Sequence, residues 1–177
     1  MKQSSKCALG GIIAALSAAL MILVAVIPFL TYSLPAVAGA LIIFIVIEIV
    51  KKWAFGVYAV VSILALLLVP DKEVAVMYVA FFGYYPILKA AAEAKCGAVL
   101  AWVIKIAVFL ASMVLAYVLM INLMGVTIDE MDSFGVWAVP LLLGIGTVAF
   151  VLYDIVLTKI VTLYLMKFRK HFRRYFK

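Results

Sequence analysis

Residues 7–47 read CALGGIIAALSAALMILVAVIPFLTYSLPAVAGALIIFIVI, 41 consecutive positions without an Asp, Glu, Lys or Arg. One helical span needs about 20 apolar residues to cross the ~30 Å hydrocarbon core of a bilayer, so this run holds two. Pro28 and Pro35 mark where it divides, because proline ends or kinks a helix and restricts the residue before it. Between them Phe29-Leu30-Thr31-Tyr32-Ser33-Leu34 supplies hydroxyls and a turn. Span 1 is placed at about residues 8–28 and span 2 at 35–50.

The remainder of the chain has the same character. Of its 177 residues 70% are hydrophobic and 13% charged, against roughly 45–50% and about 25% in soluble domains, which excludes a soluble fold. Lys51-Lys52-Trp53 forms a tight connector to span 3 (53–69), which Pro70-Asp71-Lys72-Glu73 stops. Span 4 covers 74–92 and passes through Gly83-Tyr84-Tyr85-Pro86; Glu93 to Gly97 turns the chain into span 5 (98–124). A polar loop from Gly125 to Ser133 precedes span 6 (134–166), and a basic amphipathic tail occupies 167–177. The predicted fold is all-α, a polytopic bundle of six transmembrane helices.

Basic residues orient the bundle, because loops on the cytoplasmic side carry the excess of Lys and Arg. With the N-terminus inside, Lys2, Lys6, Lys51, Lys52, Lys89, Lys95 and the tail lie on the cytoplasmic side, and the outer loops hold only Lys72. Both ends are therefore expected in the cytoplasm of a multi-pass cell-membrane protein. A cleaved signal peptide ending at Ala36-Val37-Ala38 is not expected, since a signal core spans about 7–15 residues and this uncharged run is far longer.

Little here suits bond-breaking chemistry. The single His171 and all three Arg lie in the tail, and there is no Gly-rich phosphate loop and no His pair spaced for a metal. No enzyme activity, cofactor or metal is expected. Cys7 and Cys96 both map to cytoplasmic helix ends, a reducing side where structural disulfides do not persist, and read as small apolar fillers.

Four sets of residues are candidates for function. In span 1, Gly10, Ala14 and Ala18 share one helix face, and Gly11, Ala15 and Ala19 an adjacent one. Such flat faces invite close helix approach, either by another span of this chain or by a second protein. On the outer halves of the helices, Tyr32, Ser33, Tyr78, Tyr117, Asn122 and Trp137 could wall a pocket for a flat heteroaromatic solute. The same aromatic residues would equally serve as interfacial anchors. Lys105 and Asp154 lie inside spans 5 and 6 at similar depth, so they can form an ion pair, either structural or coupled to function. Glu48 with Lys51 and Lys52, and Lys89 with Glu93, read as ordinary pairs at helix ends.

The fourth set is the tail, where Lys167, Arg169, Lys170, Arg173, Arg174 and Lys177 surround Phe168, Phe172, Tyr175 and Phe176 at spacings of three and four. This pattern suits an interfacial helix on anionic lipid of the inner leaflet, with no nucleic-acid role.

A six-span chain of this size with both ends inside, a loop between spans 1 and 2, and a first helix carrying Ala14…Ala18 and Ala15…Ala19 resembles the substrate-binding S component of energy-coupling factor transporters. The resemblance implies a micronutrient captured as a small solute from the outer side. It also implies a first-helix alanine face docked on a transmembrane coupling protein, with separate ATPases that drive release. The same general fold occurs in rod-shape-determining membrane proteins, which implies the alternative of a non-transporting scaffold or assembly factor.

Overall fold

The computed structural model describes residues 3–124 and 138–168, which are helical apart from short turns and contain no strand. Helix α1 (Gln3–Ile22) continues through two short 3-10 turns, Leu23–Ala25 and Pro28–Leu30, into α2 (Ser33–Glu48). Then follow α3 (Lys51–Leu68), α4 (Lys72–Met77), a π-helical segment (Tyr78–Phe82), α5 (Tyr85–Lys95), α6 (Ala98–Met124) and α7 (Ala138–Leu163), which ends in a second π turn, Tyr164–Phe168. Among the described residues five stretches are long and apolar enough to cross a membrane: Gln3–Ala25, Lys51–Leu68, Lys72–Lys95, Ala98–Leu119 and Leu143–Lys167. Helix α2, at 16 residues, is about 24 Å long and falls short of a full hydrocarbon crossing.

Several boundaries differ from those read from sequence. Helix α2 takes in Ser33 and carries Pro35 in its first turn, where a missing N–H costs nothing. The turn after it is Ile49–Val50, with Val50 extended, so Lys51-Lys52-Trp53 opens α3 and is not a connector. At the next corner Val69 is extended before Pro70. Lys72 Nζ donates to the carbonyls of Leu66 and Val69 at 2.9 and 3.1 Å, closing the end of α3. Asp71 caps α4 by accepting from the Glu73 amide at 3.0 Å.

Span 4 is interrupted midway. The Gly83 amide donates to Tyr78 O, five residues back, at 2.8 Å, the signature of a π turn. The chain then restarts as α5 with Pro86 in its first turn. Two glycines permit this bend. A Cβ on Gly39 of α2 would lie 2.2 Å from Phe82 O, and one on Gly83 would lie 2.6 Å from the Tyr58 ring. Backbone therefore meets backbone between α2 and the π segment, a spacing closed to any residue with a side chain.

Helix α2 lies centrally, burying Leu34, Ala38, Ile42 and Ile45 in one cluster with α1, α3 and α4, and Ala40 and Ile43 in a second with α5, α6 and α7. The second cluster is aromatic: Phe81, Tyr85, Phe109 and Phe150 meet at centroid distances of 4.8–5.7 Å, with Phe109 and Phe150 stacked. Tyrosine hydroxyls supply the polar staples. Tyr58 donates to Val79 O at 2.7 Å and Tyr153 to Ala36 O at 3.1 Å.

Candidate functional site

The most polar place in this apolar interior is a closed square of four charged side chains joining three helices. Lys89 and Glu93 come from α5, Lys105 from α6 and Asp154 from α7. Lys89 Nζ lies 2.7 Å from Asp154 Oδ1 and 2.8 Å from Glu93 Oε1. Lys105 Nζ lies 3.1 Å from Asp154 Oδ2 and 2.5 Å from the same Glu93 oxygen. Each lysine thus bridges both carboxylates, and the square is electrically neutral. Lys89, Lys105 and Asp154 are buried, whereas the Glu93 side chain is 45% exposed.

The square is built by helical spacing. Tyr85, Lys89 and Glu93 follow one another at i+4, which stacks them along one face of α5. The Tyr85 hydroxyl, buried under the aromatic cluster, donates to Asp154 Oδ1. Trp102, one turn before Lys105, places its ring 4.9 Å from the Lys105 ammonium, within cation–π range. Thr158 returns its hydroxyl to Asp154 O at 2.9 Å. Asp154 therefore accepts from a tyrosine and two lysines, the satisfaction that a buried carboxylate requires.

The pair anticipated from sequence, Lys105 with Asp154, is one edge of this square. Lys89 and Glu93 do meet at i,i+4, but they are not an ordinary surface pair, because Lys89 is buried and reaches across to α7. From sequence alone Tyr85 carries no assigned role, and Lys89 and Glu93 read as a helix-end pair. Their signal was the Tyr85–Lys89–Glu93 repeat, which aims one tyrosine and two charges at the same neighbours. At the same end of the bundle Tyr164 donates to Glu48 Oε1 at 3.3 Å and Lys51 Nζ to Ala90 O at 3.3 Å.

The pocket-wall candidates are dispersed. Tyr78 has 0% exposure, with its ring 6.3 Å from that of Tyr58, so it is core and not wall. Among the described residues the Tyr78 hydroxyl finds no hydrogen-bond partner. Tyr32 is exposed at the start of α2 and donates to Glu73 Oε1 at 2.5 Å; Ser33 beside it is exposed. Tyr117 is 41% exposed on α6. The side chain of Asn122 and all of Trp137 lie outside the described residues.

The two small-residue faces of α1 divide. Gly10, Ala14, Ser17 and Ala18 are buried against α2 and α3, where a Cβ on Gly10 would stand 3.1 Å from Val57 and Ser17 donates to Ala38 O at 3.2 Å. Gly11, Ala15 and Ala19 are exposed, and a Cβ on Gly11 would meet nothing within 4 Å. Lys167 is exposed at the end of the last helix; Arg169, Lys170, Arg173, Arg174 and Lys177 lie outside the described residues. Cys7 and Cys96 are free thiols. Among the described residues no group of His, Cys, Asp and Glu could hold a metal ion. Comparison with models of protein families, with curated proteins and with solved structures finds no match for this chain.

Proposed function

We propose that this chain is the membrane-embedded, non-enzymatic substrate-binding subunit of a micronutrient uptake transporter. It spans the cell membrane six times with both ends cytoplasmic, the short α2 crossing together with the Pro28–Leu30 turn before it, binds a small solute from the outer side, and depends on a separate transmembrane coupling protein and ATPases. The observation that carries this reading is the division of α1. One small-residue face is filled by α2 and α3, while Gly11, Ala15 and Ala19 stay open on the outside of the bundle. Lipid gives helices no hydrophobic reason to associate, so a flat outer face on a helix already anchored by its other side suits a second protein's helix.

The decisive experiment is purification from native membranes with identification of the proteins that come along. Recovery of ATPase subunits, lost in A15L/A19L, supports the transporter reading. Recovery of membrane-assembly proteins without an ATPase favours the second reading, a non-transporting scaffold. One specific observation speaks for that alternative. Tyr78, a prospective pocket wall, is wholly inside the core, and Tyr117 faces outward.

A further inference from the structure

We propose that Lys89, Lys105 and Asp154 form a receptor for a small carboxylate-type monoanion, and that Glu93 is its occupant in this conformation. The proposal is independent of the transporter reading: it concerns the end of the bundle where α5 turns into α6, the end opposite the outer side proposed to take the solute.

Charge and burial carry the inference. Lys89, Lys105 and Asp154 are buried and each is held on a different helix. Together they leave one positive charge in the apolar interior, a state that low dielectric penalises unless an anion accompanies it. Asp154 is held by three donors from α5 and α6, including Tyr85 and both lysines, so it is fixed. Glu93 is held differently. Its side chain is 45% exposed, and it sits in the last turn of α5, two residues before the helix ends at Lys95. Helix ends fray readily, and a half-exposed side chain there has room to change rotamer.

Both ammonium groups converge on one Glu93 oxygen, at 2.8 and 2.5 Å. This is a two-point cradle for one carboxylate oxygen, walled by the Trp102 ring beside Lys105. When Glu93 swings toward water, the vacated position keeps its positive charge and opens to the aqueous side. A free monoanion small enough to stand where the Glu93 carboxylate stood then restores neutrality. Formate is the minimal probe, being that carboxylate without its tether.

Trp102 reports on the site directly. In a W53F/W137F background, E93A is expected to lose thermal stability and to recover it on titration with sodium formate, with a saturable change in Trp102 fluorescence. Stabilisation by a ligand that binds only the folded state grows with the logarithm of its concentration above saturation. Sodium HEPES at equal ionic strength, too bulky for the cradle, should restore nothing. E93A/K89M, in which neutrality is regained by removing a lysine, should show no formate dependence. The protein with Glu93 in place should respond only at formate concentrations well above those that saturate E93A, because its tethered carboxylate competes for the cradle. If E93A does not fold, E93S, which removes the charge and leaves the cradle open, is read in the same way. A flat response in E93A or E93S, an equal response with Glu93 present, or a response retained in E93A/K89M overturns the proposal.

Discussion

Lys105 and Asp154 stand 49 residues apart in the chain and meet through Nζ and Oδ2 at 3.1 Å, with Lys89 approaching the other Asp154 oxygen at 2.7 Å. The first contact ties α6 to α7, and the second ties α7 to α5. Helices α6 and α7 also join the bundle through the aromatic seam of Phe81, Phe109 and Phe150, through Leu157, through Ala116 packed on Val76 and Ala80, and through tyrosine staples such as Tyr153. The charged square is therefore a junction of the fold as well as a candidate site.

The first prediction follows from that dependence. Breaking a buried ion pair by removing one partner costs about 3–5 kcal/mol, because the other charge is left uncompensated. K105M and D154N should each lower the thermal midpoint, at about 2–4 °C per kcal/mol for a chain of this size. The double variant should lose less than the sum, since it removes both members of the pair. Thermal unfolding of the four proteins checks this; strictly additive losses would show that the two residues act separately.

Gly39 provides a second test. A methyl group there would lie 2.2 Å from the Phe82 carbonyl oxygen, so the π segment must move away from α2. Overpacking of this kind costs about 1–3 kcal/mol, which should outweigh the ~0.5–1 kcal/mol that alanine gains over glycine within a helix. G39A is expected to lower the thermal midpoint, whereas G56A, whose added Cβ meets nothing within 4 Å, should leave it unchanged or raise it. Equal midpoints for the two variants would contradict the close approach.

Much of this architecture is written in the chain as hydrophobic length and punctuation. The uncharged run from Cys7 to Ile47 predicts two helices, Pro70 a corner, and Lys105 with Asp154 an interior pair, because each depends on local composition or on depth along a helix. Three features depend on the third dimension. The π turn at Tyr78–Phe82 arises where α2 presents Gly39, a neighbour distant in sequence. Tyr78 looked like a pocket wall because aromatic residues near a membrane surface and aromatic residues in a core share one composition; only the packing of Tyr58 and Gly83 against it distinguishes them. Lys89 and Glu93 looked self-sufficient at i,i+4, and nothing in their spacing says that α7 brings a second carboxylate to the same lysine.

The third prediction separates the two faces of α1. Leucine at Ala14 and Ala18 would overfill the contact with α2 and α3, at about 1–3 kcal/mol per site. A14L/A18L should therefore lower the thermal midpoint of the isolated protein. Ala15 and Ala19 are exposed, so A15L/A19L should leave that midpoint in place while abolishing recovery of partner proteins from native membranes. A15L/A19L that retains its partners would place any docking surface elsewhere.

The fourth prediction concerns residues 167–177, KFRKHFRRYFK, most of which lie beyond the described helix. Six of its eleven residues are Lys or Arg, and Phe168, Phe172, Tyr175 and Phe176 recur at spacings of three and four. In a helix these aromatics share one side, and the charges surround it. Lys and Arg near an anionic surface contribute about 1 kcal/mol each, enough to attract the segment whatever its conformation. The aromatics decide whether it also inserts, because an interfacial helix buries its apolar face at the headgroup boundary. A peptide of residues 164–177 should become helical on vesicles containing phosphatidylglycerol and stay unstructured on neutral ones, as read by circular dichroism. Changing Phe168, Phe172 and Phe176 to Ser should weaken binding and abolish the helix. Salt should release the substituted peptide more readily than the parent, since only the electrostatic attraction, which salt screens, then remains. Binding indifferent to the three substitutions would reduce the segment to an electrostatic anchor.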